Sequence, residues 1–304
     1  MRIFHNLNVD FMSKRQLFYM ISGLVILAGI VSVVIKGLSF GLDFKGGTEL
    51  VVRFPRAVEI GELRGIMSTA NLGAFEIKSY GADTDYIIRT EQKGVGDVVS
   101  RKVQEHLMTK FSKIELLSEN RVEAKIGAEI RQKAVVAIFV ALLGILAYIG
   151  FRFKFIFAIG TVLALFHDVL LTLGLVSIFT NVIPGLNLEF DMAMVAAFLT
   201  LVGYSVNDTV IVFDRVRENL KLFKTADFTS TVNKSVNATM SRTIMTGGTT
   251  MLAMIALLFF GGEPTRGFAF TMTIGVLVGT YSSIFVASSL TVDWVKARKS
   301  NITF

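Results

Sequence analysis

Ionisable side chains stand inside apolar stretches of this chain, where no water is at hand to solvate them. Asp208 follows Asn207 in Gly203-Tyr204-Ser205-Val206-Asn207-Asp208-Thr209, a polar interruption near one end of the apolar run Phe190 to Phe213. His167 and Asp168 lie near the middle of the run Phe155 to Phe179, and Arg242 immediately precedes the run Thr243 to Phe260. An Asp at the centre of a spanning helix costs about 2.5–3.5 kcal/mol on insertion scales, so an intramembrane carboxylate is a candidate for ion or proton handling.

Helical projection places Thr200, Gly203, Tyr204, Asn207, Asp208 and Ile211 on one face, and a polar stripe in lipid must face protein or water. Two readings stay open: proton handling, or interhelical hydrogen bonding of the kind worth about 0.6 kcal/mol on average. His167 beside Asp168 is either a proton relay, since imidazole titrates near neutral pH, or a satisfied structural hydrogen bond. Adjacent helical residues diverge by about 100°, so the pair is expected not to share a partner, one orienting while the other faces the bundle. Arg242 is either a snorkelling residue at a helix end or a partner for Asp208. Pairing would keep the carboxylate ionised, and separation would favour uptake of a proton.

These residues need spanning helices to position them, and the composition supplies them. The 304 residues are 52% hydrophobic with only 3 prolines, and the apolar runs are long enough to cross a bilayer, which makes this an integral membrane protein. Six spans are expected, at Leu17–Ile35, Ala134–Ile149, Phe155–Phe179, Phe190–Phe213, Thr243–Phe260 and Phe268–Val292. Lys14, Arg15, Arg152, Lys154, the stretch Arg215 to Lys234 and Lys296 to Lys299 fall on one side. The opposite short loops contain only Arg266. The positive-inside rule then puts both termini in the cytoplasm. The expected organisation is a cytoplasmic N-terminus and first helix (1–35), an external domain (36–133), five further helices (134–292) and a cytoplasmic tail (293–304). The first span is longer than a signal-peptide core and lacks a convincing cleavage site, so it is expected to be a retained anchor.

Within the external domain, Thr48–Phe54 alternates as a strand and Val58–Ala70 has helical spacing. Ala74–Tyr80 and Tyr86–Thr90 form a hairpin across Gly81-Ala82-Asp83, Val95–Phe111 is a second helix and Ile114–Glu123 a last strand. The order βαββαβ is that of a ferredoxin-like α+β sandwich, a fold that implies no function by itself. Gly41, Asp43, Gly46 and Gly47 belong to a joint, Gly41 to Thr48, expected to be a turn or hinge rather than a phosphate loop, because the P-loop spacing is missing. A second joint, Val122 to Lys133, is charged and expected to be helical. Gly275 and Gly279, in GxxxG spacing ahead of Ser282 and Ser283, are assigned to helix packing.

Other function classes find little support. The net charge of +7 is spread over loops and not gathered into a nucleic-acid patch. The chain has no cysteine, hence no disulfide or thiolate metal site, and His106 has no second ligand nearby in its helix. No nucleotide loop or Ser-His-Asp order is present, so no cofactor is expected and any energy has to come from an ion gradient.

Four segments carry a resemblance: GLDFKGGT at Gly41–Thr48, FHDVLLTLG at Phe166–Gly174, VGYSVNDTVIVFDRVREN at Val202–Asn219 and SRTIMT at Ser241–Thr246. Together they resemble the SecF family, the smaller membrane subunit of the bacterial SecD–SecF export complex, and through it the RND superfamily of proton-driven transporters. The resemblance implies six spans here and six from SecD in a pseudo-symmetric assembly in the bacterial inner membrane. It further implies that the proton gradient moves the external domains to assist late export of unfolded secretory proteins through SecYEG. On this sequence Asp208 would be the proton-site carboxylate and Arg242 its basic counterpart, with the Asp partners on SecD. The chain departs from the family's pattern at Glu123-Ala124, where relatives tend to have Gly-Pro, and at Gly247-Gly248, where relatives commonly have a bulkier pair. Two other readings are half of an RND-like exporter of lipids or small molecules, for which the external domain is small, and a structural subunit without a proton role. A lone acid beside a base suits H⁺ better than Na⁺, which needs several converging oxygen ligands.

Overall fold

A computed structural model of the chain describes residues 7–298 apart from 71, 73–74, 91–97, 123, 154, 181, 183–185, 187 and 224. The expected element ends at Ala74, Val95 and Glu123 and the loop and tail residues Lys154 and Lys299 lie outside these described residues. Six helices are long and apolar enough to cross a membrane, and they belong to α1 (Arg15–Lys36), α5 (Ala124–Arg152), α6 (Phe155–Phe179), α7 (Met192–Leu222), α8 (Phe228–Phe260) and the pair α9 (Glu263–Ser282) and α10 (Ser288–Arg298). A π-helical turn, Ser283–Ala287, joins α9 to α10 without a break. The chain is a multi-pass membrane protein in which the start of α1 and the end of α10 share one side of the bundle, where Arg15 meets Asp293, opposite the sheet domain.

α7 and α8 continue furthest past their apolar runs on the side of the termini, and α5 takes in the charged joint on the other side. α7 has 31 residues and α8 has 33, so at 1.5 Å per residue both outreach the hydrocarbon layer and project on the side of the termini. Their extensions pack on each other, with Asn219 donating to Ser235 Oγ at 2.8 Å. α7 runs unbroken through the polar residues Gly203–Thr209, as their helical projection requires, because glycine and small polar residues are tolerated in spanning helices whose backbone bonds stay internal.

Between α1 and α5 lies the sheet domain, built from β1 (Gly47–Arg53), α3 (Ile60–Ser68), β2 (Phe75–Tyr80), β3 (Ala82–Thr90), α4 (Val98–Met108) and β4 (Glu115–Val122). The strands pair antiparallel in the order β2-β3-β1-β4, the arrangement of a ferredoxin-like sandwich. Leu50, Val52, Ile77 and Ile88 from the strands close a core with Leu63 and Met67 of α3 and Val103 and Leu107 of α4. The hairpin is tighter than its spacing implied. β3 begins at Ala82, and Gly81, at φ 65°, turns the chain alone.

The Gly41–Thr48 joint is a packed bracket. A single turn, α2 (Leu42–Lys45), is followed by Gly46 at φ 76° and Gly47 at φ 132°, where a side chain would be strained. Gly41 N–H donates to Phe190 O at 3.0 Å and Phe190 N–H to Ser39 O at 2.7 Å, tying the exit of α1 to the entry of α7. A Cβ on Gly127 of α5 would stand 3.1 Å from Asp43 O, so α2 sits directly on α5. Motion about this joint has to break those contacts.

Candidate functional site

α7 is surrounded by α6, α8 and α9, and small residues let the helices close on it. A Cβ on Gly275 of α9 would lie 2.8 Å from the Leu201 side chain, and one on Gly279 would lie 3.1 Å from Ser205 Cβ. In α8, Gly247 receives Thr280 of α9, whose Oγ1 would be 3.0 Å from an added Cβ, while Gly248 borders open space and the helix stays regular. This close approach puts the α7 face carrying Ser205 and Asp208 against donors on α8 and α9.

Asp208 is 5% exposed. Thr243 Oγ1 donates to its Oδ1 at 2.8 Å, and Ser283 Oγ, the first residue of the π turn, donates to its Oδ2 at 2.9 Å. π turns recur at functional sites because they re-aim one side chain out of helical register. Arg242 is exposed, and among the described residues it forms no ion pair with Asp208. The carboxylate is therefore cradled by hydroxyls, with the guanidinium held off. The expected single polar face of α7 splits. Asp208 turns inward with Ser205 and Thr209, while Thr200, Gly203 and Asn207 face out of the chain, because neighbouring helical positions diverge.

His167 and Asp168 address different partners on different helices, as expected, and in addition meet each other. Asp168 is fully buried and accepts from Ser205 Oγ of α7 at 2.5 Å. His167 Nε2 lies 2.8 Å from Ser22 Oγ of α1, as the divergence of neighbours requires. The two side chains also bend toward each other, and His167 Nδ1 is 2.9 Å from Asp168 Oδ1. The sixth span joins in through Tyr281, whose hydroxyl lies 2.8 Å from Ser22 Oγ and donates to Phe18 O at 2.9 Å.

A further cluster, which the spacing of residues did not reveal, ties the sheet domain to α7. Buried Glu189, two residues before the Asp191 N-cap, meets Lys78 of β2 at 2.5 Å and Arg89 of β3, and Arg89 also meets Glu49 of β1 at 2.5 Å. Burial alone would push the Glu189 carboxyl up, but the Arg89 and Lys78 charges outweigh it and hold the group below the usual carboxylate range. Asp43 of α2 accepts from Met192 N–H at 3.0 Å, and Asp191 caps Met194 N–H at 2.7 Å. Around these groups lies a cavity of about 500 Å³ bordered by Asp43, Glu49, Arg89, Glu189 and Asp191.

A signal in the sequence existed for only part of this. Residues of opposite charge brought together by tertiary folding leave no periodic trace, so nothing in the sequence marks Lys78, Arg89 and Glu189 as a group. In the helical domain segment, His106 Nδ1 lies 2.9 Å from Lys102 O, an ordinary intrahelical contact.

The chain has similarities along its whole length. Residues 102–297 match the family described as protein export membrane protein SecD/SecF, C-terminal, and residues 31–54 match the SecD/SecF GG motif, which includes the bracket at Gly46 and Gly47. Protein translocase subunit SecF of Rhodothermus marinus is 45% identical over 98% of this chain and 96% of its own. That of Calditerrivibrio nitroreducens is 38% identical over 93% of each. The crystal structure of SecDF, a translocon-associated membrane protein from Thermus thermophilus, superposes with a TM-score of 0.84 at 34% identity over 96% of this chain. The chain spans 39% of the length of that structure. On these matches, which run from the first span to the last, the chain belongs to the SecF family of protein translocase subunits.

Proposed function

We propose that this protein uses the proton-motive force to drive late stages of protein export across the bacterial cytoplasmic membrane, working with SecD and the SecYEG channel on unfolded secretory chains. The observation that carries the reading is Asp208: a buried carboxylate held by two hydroxyls, with Arg242 next to one of them in sequence on the neighbouring helix and forming no ion pair with the carboxylate among the described residues. Taking up a proton removes the cost of burying the charge, and pairing with Arg242 offsets that cost in the other state, so the site has two arrangements, each of which relieves the buried charge. Movement between them displaces α8 against α7. The bracket and the Glu189 cluster hand that displacement to the sheet domain.

The outward amide of Asn207 supports a membrane partner, because lipid cannot satisfy it, whereas Thr200 beside it bonds Ala196 O within its own helix. SecD fits that role: in the Thermus SecDF chain more than half of the length lies beyond what this chain covers. The side occupied by the termini carries Arg152, Arg215 and Arg217, which supports its assignment as cytoplasmic and the sheet domain's as external. The mechanism calls for no nucleotide or metal.

Vesicles containing the chain, SecD and SecYEG test this by following gradient-dependent completion of a secreted protein's translocation after ATP is exhausted. Asp208→Asn is expected to assemble and to lose that step. A variant that assembles and exports like wild type would make Asp208 interhelical glue and end the proposal. The convergence of Thr243 and Ser283 oxygens on the carboxylate also favours a Na⁺ reading, and replacing Na⁺ by choline separates the two: export persists for H⁺ and stops for Na⁺.

A further inference from the structure

Each hydrogen bond needs one hydrogen, and the bonds around His167 fix where the hydrogens are. The Phe18 carbonyl has none, so the Tyr281 hydroxyl donates to it at 2.9 Å. With its only hydrogen so used, Tyr281 accepts from Ser22 Oγ, 2.8 Å away. Ser22 then has no hydrogen left, so His167 Nε2, 2.8 Å from Ser22 Oγ, must carry one and donate. The remaining contact, His167 Nδ1 to Asp168 Oδ1 at 2.9 Å, requires one further hydrogen. It is held either by an imidazolium facing a carboxylate or by a carboxylic acid facing a neutral ring.

We propose that His167 and Asp168 form a second proton-binding site, which stores one proton between Nδ1 and Oδ1 and uses it to complete the hydrogen-bond chain that ties the first span to the third and the sixth. This rests on the proton-driven reading above and adds a site to it. Removing the proton would leave the Nδ1 lone pair facing a fully buried carboxylate, an arrangement that repels. The ring then has to take the Nδ1–H tautomer to keep its bond to Asp168, and its Nε2 ceases to donate to Ser22. Ser22 can then turn its hydrogen to Nε2, but Tyr281 is left with one hydrogen for both Ser22 Oγ and Phe18 O, so one of its two bonds to α1 is lost. α1 leads through Phe40 into the bracket and β1, so its release reaches the sheet domain directly.

The site is distinct from Asp208 and adjacent to it. Ser205, which donates to Asp168, lies one turn before Asp208 on α7, and Tyr281 lies two residues before Ser283, which donates to Asp208. The titratable groups facing the pair are Tyr281 from α9 and, beyond Ser205, Asp208 from α7. α1 contributes the Ser22 hydroxyl and, nearly one turn away, Tyr19, which is bound to Asp293.

The test is ¹⁵N NMR of the histidine-labelled full chain in lipid bilayers with SecD. There are 3 histidines in the sequence, so His167→Gln identifies the signal. The expected result is an Nε2-protonated His167 near neutral pH, as imidazolium or as the Nε2–H tautomer. A single change of state is expected as pH is raised from about 5 to 10, and its loss in Asp168→Asn. A neutral Nδ1–H ring throughout, or an unchanging ring over that range, would overturn the proposal. Asp208→Asn is expected to retain the His167 transition, so normal export in that variant would remove the proton-driven reading while leaving the second site measured on its own.

Discussion

Thr243 and Ser283 give Asp208 one hydrogen bond each, and a buried acceptor that loses such a bond bears most of its desolvation cost. Each of Thr243→Val and Ser283→Ala is therefore expected to cost about 1–3 kcal/mol in the state where Asp208 is charged. Their combination should slow gradient-driven export several-fold in the vesicle assay, with SecD co-purification unchanged. Asp208 itself was legible in the sequence because a carboxylate in an apolar run has no bland place to go. Its partners were not. A hydroxyl in a spanning helix can satisfy itself on the carbonyl one turn back, as Thr161 does with Phe157 O and Thr291 with Ala287 O, so Thr243 looked like any other threonine. Arg242 was legible as a charge, but whether it pairs or stands off depends on how α8 is rotated, which no spacing within one helix fixes.

At the scale of elements, the contact between α1 and α6 is the closest backbone approach between two helices among the described glycines: a Cβ on Gly29 would stand 2.5 Å from Gly174 Cα. No neighbour can yield there except the backbone, so Gly29→Leu is expected to push α1 away. Because the natural chain has no cysteine, Ser32→Cys with Ser177→Cys, whose hydroxyls lie 2.9 Å apart, reports the separation. The disulfide should form readily alone and fail to form beside Gly29→Leu. The six spans and the βαββαβ order were legible because apolar length and alternation are local properties. Helix ends were not, since α7 and α8 continue into water-facing extensions that stabilise each other across Asn219 and Ser235. The Gly29–Gly174 contact has no signal in the sequence because each glycine stands alone, without the GxxxG spacing of Gly275 and Gly279.

At the scale of the whole molecule, the question is how events among the spans reach a domain outside the membrane. Arg89 and Lys78 grip Glu189 at the entry of α7, so the sheet is fastened to the helix that carries Asp208. Removing one partner of a buried ion pair costs about 3–5 kcal/mol, so Arg89→Met is expected to loosen the domain's seat while leaving its own core intact. A label pair on β3 and at the α7 entry should report a broadened distance distribution. Glu189 titrates below its ordinary range, so the tie is at full strength above that range and weakens only as pH falls through the lowered value. The same label pair should be unchanged between about pH 6 and 8 and should broaden only under strong acidification. An energised membrane would thus leave this fastening intact and act on the buried carboxylates instead.

Proton flux is the most direct measure of that claim. Proteoliposomes holding the chain with SecD and an internal pH indicator would be given an imposed proton gradient, and acidification would be followed in wild type and in Asp208→Asn. The account predicts gradient-driven uptake in wild type and its reduction to the level of empty vesicles in the variant, with both proteins incorporated equally. Equal flux in the two would contradict it, and would leave Asp208 as a structural hydrogen-bonding residue between α7, α8 and the π turn.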